Sequence, residues 1–205
     1  MKKISLLGLV IVASTTLFAQ DPKFGVKGGV NVATLVNHPE NNDWRLGWHL
    51  GLLSHIHITP AFSLQPEVMY SSQGTKFPNF SGDEDLNLKL NYVNIPVLLQ
   101  YNFNNGFRLQ GGPQIGFLTG VADKLGDEEL NLVDSDDYKT IDFSIPLGFS
   151  YLSESGFGAD ARYNIGITSV AENTTTKIRN GVFQFGVFYL FDHQHKTKTS
   201  TPARR

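Results

Sequence analysis

The sequence predicts an eight-stranded antiparallel up-and-down transmembrane β-barrel, and three observations support this prediction. Apolar side chains alternate with small or polar ones in eight stretches, which is the period of a β-strand. The connections between these stretches alternate between short and long. Almost nothing between them has a helical pattern, and no later apolar run approaches the ~20 residues that a membrane-spanning helix needs.

The N-terminus has the pattern of a secretory signal peptide. Two lysines precede an apolar stretch that ends near Phe18, and small and polar residues follow it. We expect cleavage near Ala19. The chain then divides into a signal peptide at 1–19, an outer-membrane barrel at 20–191 and a basic, disordered C-terminal tail at 192–205.

The eight predicted strands follow one another with little else between them. The fourth and fifth flank Asn104-Asn105-Gly106, whose residues tolerate the positive φ that a short hairpin turn requires. The strands are predicted at 24–34, 45–56, 61–72, 89–102, 107–118, 140–152, 157–168 and 182–191.

The lengths of the connections predict the arrangement of the strands. The connections after the second, fourth and sixth strands are brief, whereas the others are longer and polar. Adjacent antiparallel strands in simple order produce this asymmetry, as in outer-membrane barrels. We therefore expect loops 73–88 and 119–139 to lie outside the cell, and the tail from Asp192 to lie in the periplasm.

The composition of the two strand faces decides which face is inside. One face is rich in glycine, interleaved with Asn, Gln and Ser, and an eight-stranded barrel has a narrow interior that requires small residues. The other face is apolar, and aromatic residues gather toward the strand ends, as in membrane girdles. A soluble secreted lipocalin-like carrier is the alternative, and it would place the apolar face inside.

Four prolines lie within predicted strands: Pro66, Pro96, Pro113 and Pro146. Proline cannot donate to a β-ladder, and a closed barrel has no free edge to accommodate it. We expect bulges or missing ladder bonds at these positions.

The sequence also resembles a known family. The signal peptide runs into "KFGVKGGVNVATL", and "LQPEVMYSSQG", "LNYVNIPVLLQYNF", "GFRLQGGPQIGFL", "DFSIPLGFSY" and "GADARYNIGIT" follow. These segments are similar to the PorT-like outer-membrane β-barrel domain proteins over essentially the whole mature chain. The resemblance implies a barrel in the outer membrane of a Gram-negative-type cell, and one branch of that family serves a protein-secretion apparatus.

No catalytic, cofactor-binding or metal-binding residues are predicted, and we expect no enzyme activity. The chain has no cysteine, and its net charge of -2 does not suggest a nucleic-acid partner. Ser54 and His55 are adjacent in a strand, so they point oppositely and cannot form a nucleophile–base pair. His55 and His57 share one face, which leaves metal binding as an alternative to a polar lining. The acidic loop 119–139 leaves calcium binding as an alternative to a solvated loop.

The charged residues of the inward face form the candidate site. Balanced signs permit ion pairing across a narrow interior, and we expect a closed lumen that does not conduct ions. These residues, three of each sign, are Lys27, Glu67, Arg108, Asp142, Asp160 and Arg162.

The predicted function follows from this absence of chemistry. We expect a non-enzymatic barrel that acts through its extracellular loops or as an envelope or secretion-associated component. The expected partners are outer-membrane lipid, lipopolysaccharide and an envelope protein, and we expect a monomer. A lipid-modifying outer-membrane enzyme is a further alternative.

Overall fold

The computed structural model describes residues 22–38, 41–81, 84–125, 128–130, 137–172 and 176–191. The predicted signal peptide and C-terminal tail lie outside these residues. No helix in the described ranges is long and apolar enough to cross a membrane. The strands are β1 (Lys23–Val36), β2 (Arg45–His57), β3 (Phe62–Ser81), β4 (Glu84–Asn102), β5 (Phe107–Gly111), β6 (Gln114–Leu125), β7 (Glu128–Leu130), β8 (Ile141–Leu152), β9 (Phe157–Gly166) and β10 (Arg179–Leu190).

The strands close into a ring of eight antiparallel positions. β1 pairs with both β2 and β10, and β3 pairs with β4. β5 and β6 are two halves of one wall strand, because each of them pairs with both β4 and β8. β7 pairs with the far end of β6. The predicted eight-stranded, up-and-down barrel is confirmed.

The in-strand prolines coincide with gaps in the hydrogen-bonded ladders, as predicted. The β3–β4 ladder stops after Pro66↔Val97 and resumes at Met69↔Asn94, so Pro96 lies within the gap. Pro113 separates β5 from β6. The register of both halves against β8 is the same, since Gly111 faces Leu147 and Gln114 faces Ser144. The wall therefore loses bonds at the prolines without shifting its register.

The prediction of a loop at 73–88 is wrong, because most of these residues belong to strands β3 and β4. The β3–β4 ladder continues past Gln73↔Leu90 to Phe77↔Leu86, and one further pair joins Ser81 to Glu84. The segment "LNLKLN" in β4 keeps the alternation of period two, which explains the longer hairpin. Part of the predicted loop 119–139 is also strand, since β6 runs to Leu125.

The two faces of the wall have the predicted polarity. Large apolar side chains on the outside are freely exposed, for example 71% of Leu46 and 66% of Val187. Buried polar residues occupy the inside of most strands. This polarity is the reverse of a lipocalin-like carrier with an apolar interior, so that alternative is wrong.

Short turns and aromatic pairs mark one end of the barrel. Gly106 closes the β4–β5 turn with φ of 85°, as the Asn-Asn-Gly pattern predicted, and Gly156 closes the β8–β9 turn with φ of 90°. The ring pairs Phe62–Tyr101, Phe107–Tyr151 and Phe157–Tyr189 lie beside these turns, with centroids 5.3, 5.2 and 4.7 Å apart. The aromatic belt predicted at the strand ends is therefore present here.

Candidate functional site: an ionic network in the lumen

Glycines opposite the charged residues make room for them inside the barrel. In the ladder registers, Lys27 faces Gly51, Asp160 faces Gly186, and Arg162 faces Gly148. A Cβ on Gly186 would lie 2.7 Å from Asp160 Oδ1 and 3.2 Å from Lys27 Cε. The glycine-rich inner face is thus a steric requirement of the charged side chains.

Four of the six predicted lumen charges meet in one network. Lys27 Nζ donates to Asp160 Oδ2 at 2.6 Å and approaches Glu67 Oε1 at 3.5 Å. Arg162 Nη1 donates to Glu67 Oε2 at 2.9 Å. All four side chains are at most 2% exposed. We call Lys27, Glu67, Asp160 and Arg162 the ionic network.

The ionic network is neutral, and this property makes its burial tolerable. An isolated ion away from water costs several kcal/mol, which an opposite charge at hydrogen-bonding distance offsets. Here two cations face two carboxylates, and Glu67 bridges both cations through its two oxygens. Removal of any one member would leave an excess charge in the interior.

Amide side chains, which sequence reasoning did not single out, extend the network around the wall. Gln65 donates to Glu67 at 2.8 Å, and Arg162 Nε donates to Gln184 at 2.7 Å. Gln100 donates to both Gln65 and Gln110, at 3.1 and 2.9 Å. These amides lie on the inward face, at the same period of two as the charges. That period in the sequence could have identified them.

His49 and Asn31 complete the network toward the long-loop end. Gln184 donates to Asn31 Oδ1 at 2.9 Å, and His49 Nδ1 lies 2.8 Å from the same oxygen. Asn31 in turn donates to the backbone carbonyl of Ser72 at 2.8 Å. Because the carbonyl oxygen of Asn31 accepts, His49 Nδ1 carries a hydrogen.

Arg108 and Asp142, the other two predicted charges, lie apart from the ionic network. Asp142 accepts hydrogen bonds from Thr168 at 2.6 Å and Asn180 at 2.9 Å, nearer the long-loop end. Arg108 lines the mouth of the lumen at the short-turn end. Among the described residues, the six predicted charges therefore do not form one cluster, since Glu67 pairs with Lys27 and Arg162. Arg108 is the second residue of β5, which starts at the short-turn end, so its side chain lies nearer that end than the ionic network.

An apolar cluster fills the barrel at the long-loop end. Leu88, Leu90 and Tyr92 of β4 are at most 3% exposed and pack in the interior, whereas the same strand places Asn94 and Gln100 inside at lower positions. Val170 and Ile178, from the connection between β9 and β10, pack into the same cluster. We call this group the apolar cap, and its buried members are Leu35, Phe77, Leu86, Leu88, Leu90, Tyr92, Val170 and Ile178.

The other candidate chemistry is sparse among the described residues. Ser54 lines a lipid-side hollow with Leu52 and Val68, whereas His55 is fully buried, so the two point oppositely as predicted. The rings of His55 and His57 contact each other with centroids 4.6 Å apart. No group of three metal-ligating side chains occurs in the described ranges. Asp123 of the acidic loop is buried in β6, and residues 131–136 lie outside the described ones.

Comparison with known families decides the environment of this barrel. Residues 18–172 match the model of the outer membrane protein beta-barrel domain family. The chain belongs to this family. The outer-membrane barrel therefore has its apolar face in lipid and its ionic network inside the membrane. The predicted outer-membrane location is confirmed.

One solved structure supports the same fold, and a second is reported for comparison. The barrel is similar to Neisserial surface protein A, with 18% identity and a TM-score of 0.53 over 83% of this chain and 99% of that one. The attachment invasion locus protein Ail of Yersinia pestis, solved with the heparin analogue sucrose octasulfate, is 12% identical with a TM-score of 0.49, over 83% and 99% of the two chains. A comparison with curated proteins found no match.

Proposed function

We propose that this outer-membrane barrel is a non-enzymatic protein with a closed lumen that acts through its long-loop end as an envelope component. The observation that supports this most is the filled interior: the ionic network occupies the middle of the barrel, and the apolar cap fills the end above it. Because this interior leaves no path for solutes, the barrel acts through the surface that it exposes and not by transport.

The long-loop end is built to present a surface. β3 and β4 have 20 and 19 residues, whereas β9 and β10 have 10 and 12. At about 3.3 Å per residue, this hairpin projects well beyond β9 and β10, and β6 accompanies β4 as far as Leu86. The apolar cap ties the projection to β1, to β6 and to the β9–β10 connection. We place this end outside the cell.

The PorT-like resemblance supports a finer proposal. The matching segments resemble that family over essentially the whole mature chain, and one branch of the family serves a protein-secretion apparatus. We therefore propose a protein partner in the envelope, with outer-membrane lipid and lipopolysaccharide around a monomeric barrel.

Shortening the projecting hairpin tests this function. Residues 76–87 are replaced by Asn-Gly, so that Thr75 and Leu88, which face each other in the register, are joined by a short turn. We expect chemical crosslinking in native envelopes to capture a specific protein with the wild-type chain and to lose it with the short variant. As a folding control, both proteins must show a heat-dependent shift in gel mobility. Equal capture by the two would refute a role for this end, and hydrolysis or acylation of labelled lipopolysaccharide would refute a non-enzymatic function.

A further inference from the structure

A cavity of about 400 Å³ lies at the short-turn end of the barrel. Lys23 of β1 and His57 of β2 line one side of it, and Arg108 of β5 lines the other. In the ring, β5 is four positions from β1 in either direction. The cavity therefore crosses the mouth of the lumen, below the ionic network.

Arg108 is buried in this mouth, and part of its guanidinium has no hydrogen-bond partner among the described residues. Only 7% of the residue is exposed, yet its Nη1 has no hydrogen-bond partner in the described part of the chain. A guanidinium keeps its charge at any physiological pH, and a buried charge is costly when unpaired. The carboxylates of the ionic network are already engaged by Lys27 and Arg162. Within the described part of the chain, Arg108 is thus a buried cation whose Nη1 reaches no acceptor.

The lining of the cavity favours a negatively charged ligand. Lys23 and Arg108 line the same cavity, so two cations face one space. Glu154 is the single acidic side chain among the lining residues that the structure describes. Asn104 and Asn105, in the β4–β5 turn, add amide groups. Among these lining residues, cationic side chains therefore outnumber acidic ones, although the whole chain has a net charge of -2.

We propose that the short-turn mouth is a binding site for a phosphate group, with Arg108 as the principal ligand and Lys23 as the second cation. The planar guanidinium presents parallel N–H donors that match two phosphate oxygens, and an ammonium adds charge from another direction. The cavity volume is of the size that accommodates small ligands. The phosphate belongs either to a soluble molecule or to a lipid headgroup.

Calorimetric titration of the purified full chain with inorganic phosphate tests the site, with chloride adjusted to hold ionic strength constant. We expect saturable binding that Arg108→Gln weakens ~10-fold or more, as expected for loss of a charged hydrogen bond. Lys139→Gln is the matched control, because it removes one positive charge from an exposed position toward the other end. Lys23→Gln keeps the test valid if Arg108→Gln does not fold, since it should also weaken binding.

A second arm identifies the source of the phosphate. The wild-type chain and Arg108→Gln are melted in phosphatidylglycerol and in phosphatidylcholine vesicles. An Arg108-dependent rise in melting temperature with phosphatidylglycerol would assign the site to a lipid headgroup, whereas Arg108-dependent binding of inorganic phosphate alone would assign it to a soluble ligand. If neither arm depends on Arg108, or if Lys139→Gln weakens binding equally, the proposal is wrong.

Discussion

At the scale of single residues, the lumen depends on Glu67 more than on any other charge. Its two carboxylate oxygens face Lys27, Arg162 and Gln65, so three strands converge on one side chain. In such a network the stability of each buried charge depends on the others, because deleting one leaves its partner charged and buried.

The first prediction concerns Arg162. Arg162→Gln should lower the free energy of unfolding by about 3–5 kcal/mol, since Glu67 then loses its shortest ionic contact in a buried site. Urea unfolding of the barrel in lipid vesicles measures the change. Lys76→Gln is the control, because Lys76 and Asp85 form a partly exposed pair outside the lumen network, and loss of a solvent-accessible pair typically costs ~1 kcal/mol or less. Equal unfolding midpoints for Arg162→Gln and the wild type would show that the charges are not mutually dependent.

The second prediction concerns the space beside Asp160. Gly186→Ala should cost about 1–3 kcal/mol, because the new methyl group would press on Asp160 Oδ1 and His49 Nε2, at 2.7 and 3.0 Å. Gly28→Ala is the matched control on the lipid side, where the nearest atom is the end of the flexible Leu50 side chain at 3.3 Å. Unfolding in urea should separate the two variants. A Gly186→Ala barrel as stable as Gly28→Ala would mean that the network adapts freely.

At the scale of strands, alternation in the sequence predicted the wall well, because side chains of a barrel strand meet only two environments. The β3–β4 projection was missed since its polar and small residues suggested a loop, although "LNLKLN" keeps the strand period. Pairing inside the lumen was harder to predict. Lys27 and Asp160 are 133 residues apart, and their contact depends on closure of β10 against β1. The inward face identifies such charges, but only the closed ring brings them together.

The C-terminal end of the wall supports a third prediction. The last strand completes its bonding at Phe191, whose N–H donates to the carbonyl of Phe24 at 2.8 Å. Deletion of residues 193–205 should therefore leave folding intact, because the ladder closes before the deleted segment. Heat-modifiable gel mobility after membrane extraction measures this. A deleted chain that fails to assemble would show that the tail belongs to the assembly signal.

At the scale of the whole molecule, the barrel is asymmetric between its ends. Short turns and aromatic pairs mark one end, and the projecting hairpin with the apolar cap marks the other. This asymmetry predicts orientation, since outer-membrane barrels place their short turns in the periplasm.

Epitope tags test the orientation, which is the fourth prediction. An antibody on intact cells should reach a tag near Gly126, and it should reach a tag after Arg205 only when the outer membrane is permeabilised. The reverse pattern of accessibility would show that the barrel has the opposite orientation, and it would contradict the proposed role of the projecting hairpin.

Conductance across a planar lipid bilayer tests the closed lumen most directly. Purified wild-type protein, with insertion verified by its heat-modifiable mobility, should give no stable single-channel steps. The reason is that the neutral ionic network and the apolar cap obstruct the interior in succession, and eight strands leave little space beside them. Stable steps of uniform size from the verified barrel would contradict a closed lumen.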